Sequence, residues 1–251
     1  MGQVIAMANC PWHDDRNPSL AIYENGYYCF GCHKKGTLLP WMTEIVHGVD
    51  HRVTKKLPRV DELQYEFVYS KDIVQFFDDR QIDIEQARDY GIRAKSNSIL
   101  IPCYDLDTDL IGYQKRDVTG DSKNKYITIP YNDVYPEYSF SANGETLSRL
   151  DNVVLVESVI DALYINDVGY KAIALLGTTL RSKELLYILA NMGVACVALF
   201  DPDANVIASY LCDKLDAHGV PVTNIVTDRK PYEYDKREMR DKLSIIYELR
   251  R

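Results

Sequence analysis

No stretch of this 251-residue chain stays apolar long enough to cross a bilayer, and no charged-then-apolar leader opens it. The chain is therefore expected to remain in the compartment where it is made, the cytoplasm, with no membrane partner. Cysteine is scarce: six residues over this length cannot staple a secreted scaffold, which excludes a disulfide framework and points to a reducing environment. Three of them, Cys103, Cys196 and Cys212, stand singly in apolar runs and read as core packing. Positive charge is in deficit, with 29 Lys and Arg against 37 Asp and Glu and a net charge of −8. That excludes indiscriminate nucleic-acid binding by a uniformly basic surface and leaves room for a local basic patch. Internal repeats and low-complexity tracts are missing as well. With 46% hydrophobic residues, the chain can fill one full core, or a small module plus a medium domain.

What is present is unevenly spread. Residues 1–46 are rich in Cys, Tyr, Gly and Trp, and within them Cys10, His13, Cys29 and Cys32 form C-x2-H-x15-C-x2-C. Two tight turns of this kind present four soft or borderline ligands together, as a tetrahedral Zn²⁺ requires, and four protein ligands leave no open position, so one structural zinc is expected. Gly31, inside C-F-G-C, permits close approach of the backbone. His33 competes with His13 as the fourth ligand, but it adjoins Cys32 and would distort the turn, so His13 is preferred. Residues 47–60 show no period and carry Arg52, Lys55, Lys56 and Arg59, the pattern of a solvated linker.

Beyond the linker, residues 72–90 read as helical, and I-L-I-P-C-Y-D with L-I-G-Y-Q-K-R reads as a hairpin over 99–105 and 110–116. From Asn152 the apolar runs V-V-L-V, A-I-A-L-L, V-A-C-V-A-L-F and V-T-N-I-V alternate with segments of helical spacing. Continuous apolar runs are what strands buried on both faces look like, so a parallel sheet covered by helices is expected. Glu157 directly follows the first run, and Asp201 and Asp203 directly follow the third as D-P-D. The carboxyl ends of parallel strands form the ligand crevice, so these three acids can converge there as a cage of hard oxygen ligands for Mg²⁺ or Mn²⁺, suited to phosphoryl transfer. The competing reading is that the aspartates cap the helices that follow. Asp161, one turn after Glu157, is either a supporting partner of that cage or an ordinary exposed acid.

C-P-W-H-D-D-R-N-P-S-L with Y-Y-C-F-G-C-H-K-K-G resembles the zinc-binding domain of DnaG-type bacterial and phage primases. V-V-L-V-E-S-V-I-D-A-L, A-L-L-G-T-T-L and L-F-D-P-D-A-N resemble the successive TOPRIM motifs of that family, with Glu157, Gly177, Asp201 and Asp203 on the family's positions. The resemblance implies an α/β protein in four parts. These are a β-rich zinc ribbon over 1–46, the linker over 47–60, a mixed α+β subdomain of an RNA polymerase core over 61–150, and a TOPRIM domain over 151–251. It implies Glu157, Asp201 and Asp203 as catalytic metal-binding residues, and Arg116, Lys123 and Lys125 as contacts to template phosphates or incoming nucleotide.

Three departures stand out. Ser158 follows Glu157 where the family usually has Gly; the late acidic motif of type K-D-P-x-E is R-K-P-Y-E-Y, leaving Asp228 or Glu233 as possible substitutes; and Y-S-F-S-A-N-G-E-T lacks the expected basic residue. The chain also ends soon after Arg240, which suggests a stand-alone enzyme of a phage or mobile element, working with a separate replicative helicase. The function implied is a DNA primase that copies single-stranded DNA from ribonucleoside triphosphates. The alternatives are a TOPRIM nuclease or topoisomerase-like enzyme, and a non-catalytic single-stranded-DNA-binding accessory protein.

Overall fold

The computed structural model describes residues 4–13, 18–38, 42, 65–120, 122, 124–130, 135–142 and 144–249. The expected linker, 47–60, lies outside them, as does Lys123. The chain divides into two compact units, Met1–Lys55 and Lys56–Arg251.

In the first unit β1 (Ala6–Ala8), β2 (Leu20–Tyr23), β3 (Gly26–Cys29) and β4 (Lys35–Gly36) form an antiparallel sheet in sequential order. Among the described residues its core is small: Leu20, Ile22, Met42 and the thiols of Cys10 and Cys29 are buried, with Trp12 stacked on Tyr27 at 4.8 Å. A core of that size does not offset the chain entropy of ordering these strands, which therefore depend on another source of folding energy.

The second unit opens with two short helices, α1 (Lys71–Asp78) and α2 (Ile84–Asp89), where the sequence predicts one. Ser70 caps the first, its Oγ accepting from the Ile73 amide; the break falls at Gln81, at φ +55, and Asp83 starts the second helix by accepting from the Glu85 amide at Oδ1. Next come β5 (Arg93–Lys95), β6 (Ser98–Tyr104), β7 (Leu110–Asp117) and β8 (Tyr126–Pro130), an antiparallel sheet in sequential order. β6 and β7 are the expected hairpin.

The remaining elements are β9 (Ser139–Ser141), β10 (Asn152–Val156), α3 (Val159–Val168), β11 (Lys171–Ala174), α4 (Lys183–Met192), β12 (Ala195–Ala198), α5 (Asn205–Asp216), β13 (Val222–Asn224) and α6 (Lys236–Leu243). They build a second sheet in the order β13-β12-β10-β11-β9, parallel except for β9, which runs antiparallel to β11. Alternation along the strands separates two cores. Val154, Val156, Ala172, Ala174 and Val197 pack with α3, α6 and α1 on one face. Val153, Leu155, Ile173, Cys196 and Ala198 pack with α4 and α5 on the other. The chain leaves β10 toward β11 across one face and returns from β11 to β12 across the other, so the order reverses at β10 and opens a crevice at its carboxyl end. Residues on both sides of position 150 share these cores: Ile73, Phe77 and Ile99 with the α3 face, and Phe140 with the α4 face. Cys103 and Cys196 are buried and Cys212 is half-buried, all within the apolar clusters. Among the described residues no helix is long and apolar enough to cross a membrane.

Candidate functional site

The ligand atoms of Cys10, His13, Cys29 and Cys32 all lie within 4.8 Å of one another. Cys10 Sγ and Cys32 Sγ are 3.6 Å apart, and Cys29 Sγ is 3.9 Å from His13 Nδ1. A tetrahedral zinc with bonds of about 2.3 Å to sulfur has sulfur–sulfur edges of about 3.8 Å, so the four groups fit that ion. Burial works against ionisation of Cys29, yet donors from Ser19 and the Cys32 amide bring its thiol down to about 6, the thiolate form a metal needs. His33 turns away at φ +60 and its Nδ1 pairs with the Tyr28 hydroxyl at 2.8 Å, which leaves His13 as the nitrogen ligand. A Cβ on Gly31 would stand 2.4 Å from His13 Nε2 and 2.8 Å from its Cε1. Gly31→Ala is therefore expected to rotate the His13 ring and weaken zinc binding by about tenfold or more. Competition against a chromophoric chelator measures this; unchanged zinc affinity would contradict it.

The second cluster lies at the crevice of the parallel sheet. Glu157, at the end of β10, accepts a hydrogen bond from the Asp201 amide at 2.8 Å, which ties the ends of β10 and β12 together. Neither Asp201 nor Asp203 caps a helix: the 3-10 turn Pro202–Ala204 has no side-chain cap bond, and neither has α5. A cavity of about 340 Å³ is lined by Glu157, Asp161, Asp201 and Gly177, together with Arg80, Arg116, Lys125 and Lys230. Asp203 is exposed beside this cavity and does not line it. Gly177, at φ +146 after β11, donates its amide to the Glu157 carbonyl at 3.0 Å, a conformation that requires glycine.

Asp161 is buried, not exposed. Ser158, the residue that departs from the family's glycine, caps α3: it accepts from the Asp161 amide at 3.3 Å and donates to Asp161 Oδ2 at 2.6 Å. Burial, reinforced by Asp201, raises the Asp161 carboxyl above the ordinary range; burial and the neighbouring acids raise Glu157. A raised carboxyl binds its proton more readily in the folded chain, so its contribution to stability is present at low pH and lost as pH rises through the raised value. Asp161→Asn is accordingly expected to raise the melting temperature near pH 8 in divalent-free buffer. The gain should close as pH falls to about 4, the unfolded carboxylate range. A pH-independent difference in paired melting curves would contradict this.

The basic wall comes from the antiparallel sheet and from two residues, Arg80 and Lys230, that the sequence reading did not assign to the site. Arg116 on β7 is buried and donates to the Tyr126 hydroxyl, while its Nε has no hydrogen-bond partner. Partial burial and the charges of Arg116 and Lys230 lower Lys125 below the ordinary lysine range, a mark of crowded positive charge. Arg80, just past α1, lies between the Phe76 ring at 3.8 Å and the Tyr232 ring at 5.1 Å. Only tertiary packing brings it to the cavity, and its sequence context is that of a solvated helix end. Lys230 pairs with Asp201 at 3.3 Å. It stands at the position where the family's motif has its acid, so the altered R-K-P-Y-E-Y was itself the signal. Neither substitute acid reaches the cavity: Asp228 Oδ1 accepts from the Tyr234 hydroxyl at 2.5 Å and Glu233 Oε2 from the Lys230 amide at 2.9 Å. A larger cavity of about 620 Å³, near Tyr90, Tyr104 and Phe140, has one acid, Asp89, and no basic group in its lining.

Residues 4–74 match the CHC2 zinc finger family. The chain is 21% identical to a DNA primase of Staphylococcus aureus over 77% of its own length and 46% of the relative's. It is 21% identical to one of Helicobacter pylori over 71% of its length and 44% of the relative's. It thus spans about half the length of the curated relatives it matches. Among solved structures, the zinc-binding and RNA polymerase domains of the Aquifex aeolicus primase superpose with a TM-score of 0.57 at 18% identity, covering 95% of this chain and 78% of that one. The primase fragment of the bacteriophage T7 primase-helicase protein gives 0.51 at 13% identity, covering 97% and 99%. A DnaG primase catalytic domain bound to single-stranded DNA gives 0.54 at 14% identity, covering 71% of each. The resemblance drawn from the sequence holds: the chain carries a CHC2-type zinc-binding domain with one structural zinc site, followed by a body with the mixed-sheet fold of the DnaG primase catalytic core.

Proposed function

We propose that this chain is a DNA primase that joins ribonucleoside triphosphates into short RNA primers on single-stranded DNA during replication, with residues 151–251, part of the second unit, a TOPRIM domain. The observation that carries the reading is the shared cavity: the carboxylates of Glu157 and Asp201 face the guanidinium of Arg116, which is buried and has an unpartnered Nε. A guanidinium next to hard oxygen ligands suits a polyanionic substrate, because the cation attracts the phosphate oxygens while the acids hold its counter-ion.

Glu157 and Asp201, with Asp203 beside them, would hold Mg²⁺ or Mn²⁺, and such an ion supplies charge neutralisation at the reacting phosphate. Arg116, Lys125 and Lys123 bind template phosphates or the incoming nucleotide, and Tyr126 offers a ring for stacking. Asp161 fixes the start of α3 through Ser158 and adds negative charge beneath the site. The zinc-binding module, over 1–46, reads template bases, which its few basic groups permit because base readout relies on edges and stacking more than on phosphate charge. The linker, over 47–60, joins it to the core, and a replicative helicase is the expected partner.

The test is incubation of the full chain with single-stranded DNA, labelled ribonucleotides and Mg²⁺ or Mn²⁺. Labelled short oligonucleotides are expected. Cleaved DNA without such products would favour the TOPRIM nuclease reading, and retention of DNA without chemistry would favour the accessory protein.

A further inference from the structure

Lys230 stands where the family's motif has an acid, and four observations give it a role. Its Nζ is 3.3 Å from Asp201 Oδ2, the single ion pair involving a cavity carboxylate among the described residues. Asp201 is one of the carboxylates that would hold a divalent ion at this crevice, and its amide bonds Glu157. The turn that presents Lys230 is held firmly: the Lys230 amide donates to Glu233 Oε2 at 2.9 Å, and Gln81 Nε2 donates to the carbonyls of Tyr232 at 2.6 Å and Tyr234 at 2.8 Å. The lysine side chain itself remains 37% exposed, so the ammonium can leave Asp201 while the backbone stays fixed.

We infer that Lys230 is the site's built-in cation, so that divalent loading is an ion exchange in which the entering ion takes Asp201 Oδ2 and the ammonium withdraws along its flexible stem. This rests on the metal site proposed above. The chemistry follows from charge: an ammonium and a divalent ion held at one carboxylate repel each other, so each weakens the other's binding there. In the metal-free chain the ammonium partly neutralises a cluster that otherwise holds three acids close together, two of them with raised affinity for protons. Lys230 is thus a positioning residue whose effect is on metal affinity and selectivity for occupancy, acting through Asp201.

The experiment is Mn²⁺ binding to the zinc-loaded full chain, with free Mn²⁺ counted by electron paramagnetic resonance in the absence of nucleotide and DNA. Lys230→Met keeps the length of the side chain and removes its charge, and is expected to tighten Mn²⁺ binding about tenfold, the low end of the effect of a close opposite charge because the pair is partly solvated. Lys230→Arg keeps the charge and is expected to stay within about twofold of wild type. Lys125→Met removes an equal charge from the same cavity with no ion pair to Asp201, and is expected to change the Kd less than about threefold. Equal Mn²⁺ affinity in Lys230→Met and wild type would overturn the inference, as would an equal gain in Lys125→Met. An Asp201→Asn arm separates the two layers of the argument. If it abolishes Mn²⁺ binding while Lys230→Met has no effect, the ion exchange fails and the metal site stands; if it leaves binding intact, the metal site fails as well.

Discussion

Asp201→Asn is expected to lower template-directed synthesis by roughly a thousandfold or more while affinity for single-stranded DNA stays within about threefold. The substitution changes one charge and almost no volume. Asp201 lies at the crevice, its amide bonded to Glu157 and its carboxylate paired with Lys230. Asparagine cannot supply a hard anionic ligand, so the counter-ion of the triphosphate loses its anchor, and Lys230 loses its partner in the same step. Had Asp201 been a helix cap, asparagine would serve about as well and activity would persist. The 3-10 turn has no side-chain cap bond, which removes that escape. Gel-resolved product yield and fluorescence-anisotropy titration with labelled DNA, run on the same preparation, check both halves. Near-normal yield would defeat the catalytic reading, and an equal loss of DNA binding would mean that the site had unfolded.

Cys29→Ser is expected to drop bound zinc from about one ion per chain to near zero and to unfold the first unit while the second keeps its melting transition. Among its described residues the first unit buries only a handful of apolar groups, whereas the second has two extensive cores of its own. Cys29 is the central ligand in energetic terms: it is fully buried, it receives the Cys32 amide at 3.3 Å, and Ser19 Oγ lies 3.3 Å away. Serine at this position is a poor ligand and cannot replace the thiolate. Both tryptophans of the chain, at positions 12 and 41, fall within Met1–Lys55, so their emission reports on the first unit alone. A red shift of that emission, with far-UV circular dichroism largely preserved, is the expected signature. Retained zinc or unshifted emission would contradict the ligand assignment.

How much of this was legible beforehand depends on whether local chemistry or long-range packing sets each feature. The zinc quartet was readable because its spacing is its geometry: two ligand pairs on two turns, with Gly31 making room for His13. The parallel strands were readable because burial on both faces removes polar residues from them, and Glu157 and Asp201 followed from their places at strand ends. Residues 72–90 read as helical without interruption because amphipathic spacing continues across a break set by Gln81, at φ +55, and the Asp83 cap. Asp161 was undecided in the sequence, since a helical position one turn past a site is equally compatible with solvent; its burial comes from packing beneath the cavity. Arg80 was invisible because a basic residue just past a helix is ordinarily solvated, and only the tertiary approach of Phe76 and Tyr232 fixes it. Lys230 was seen as a missing acid and not as a present base.

The central claim is that the cavity joining Glu157 and Asp201 to Arg116 and Lys125 carries out templated joining of ribonucleotides, and the sequence of the product tests it most directly. Full chain loaded with zinc is incubated with single-stranded DNA of mixed sequence, all four ribonucleotides and Mn²⁺, and the short products are isolated and sequenced. The account predicts RNA complementary to the template, made by the wild-type chain and missing with Asp201→Asn. RNA unrelated to the template, template cleaved without RNA synthesis, or no product under conditions where DNA is bound would each contradict it.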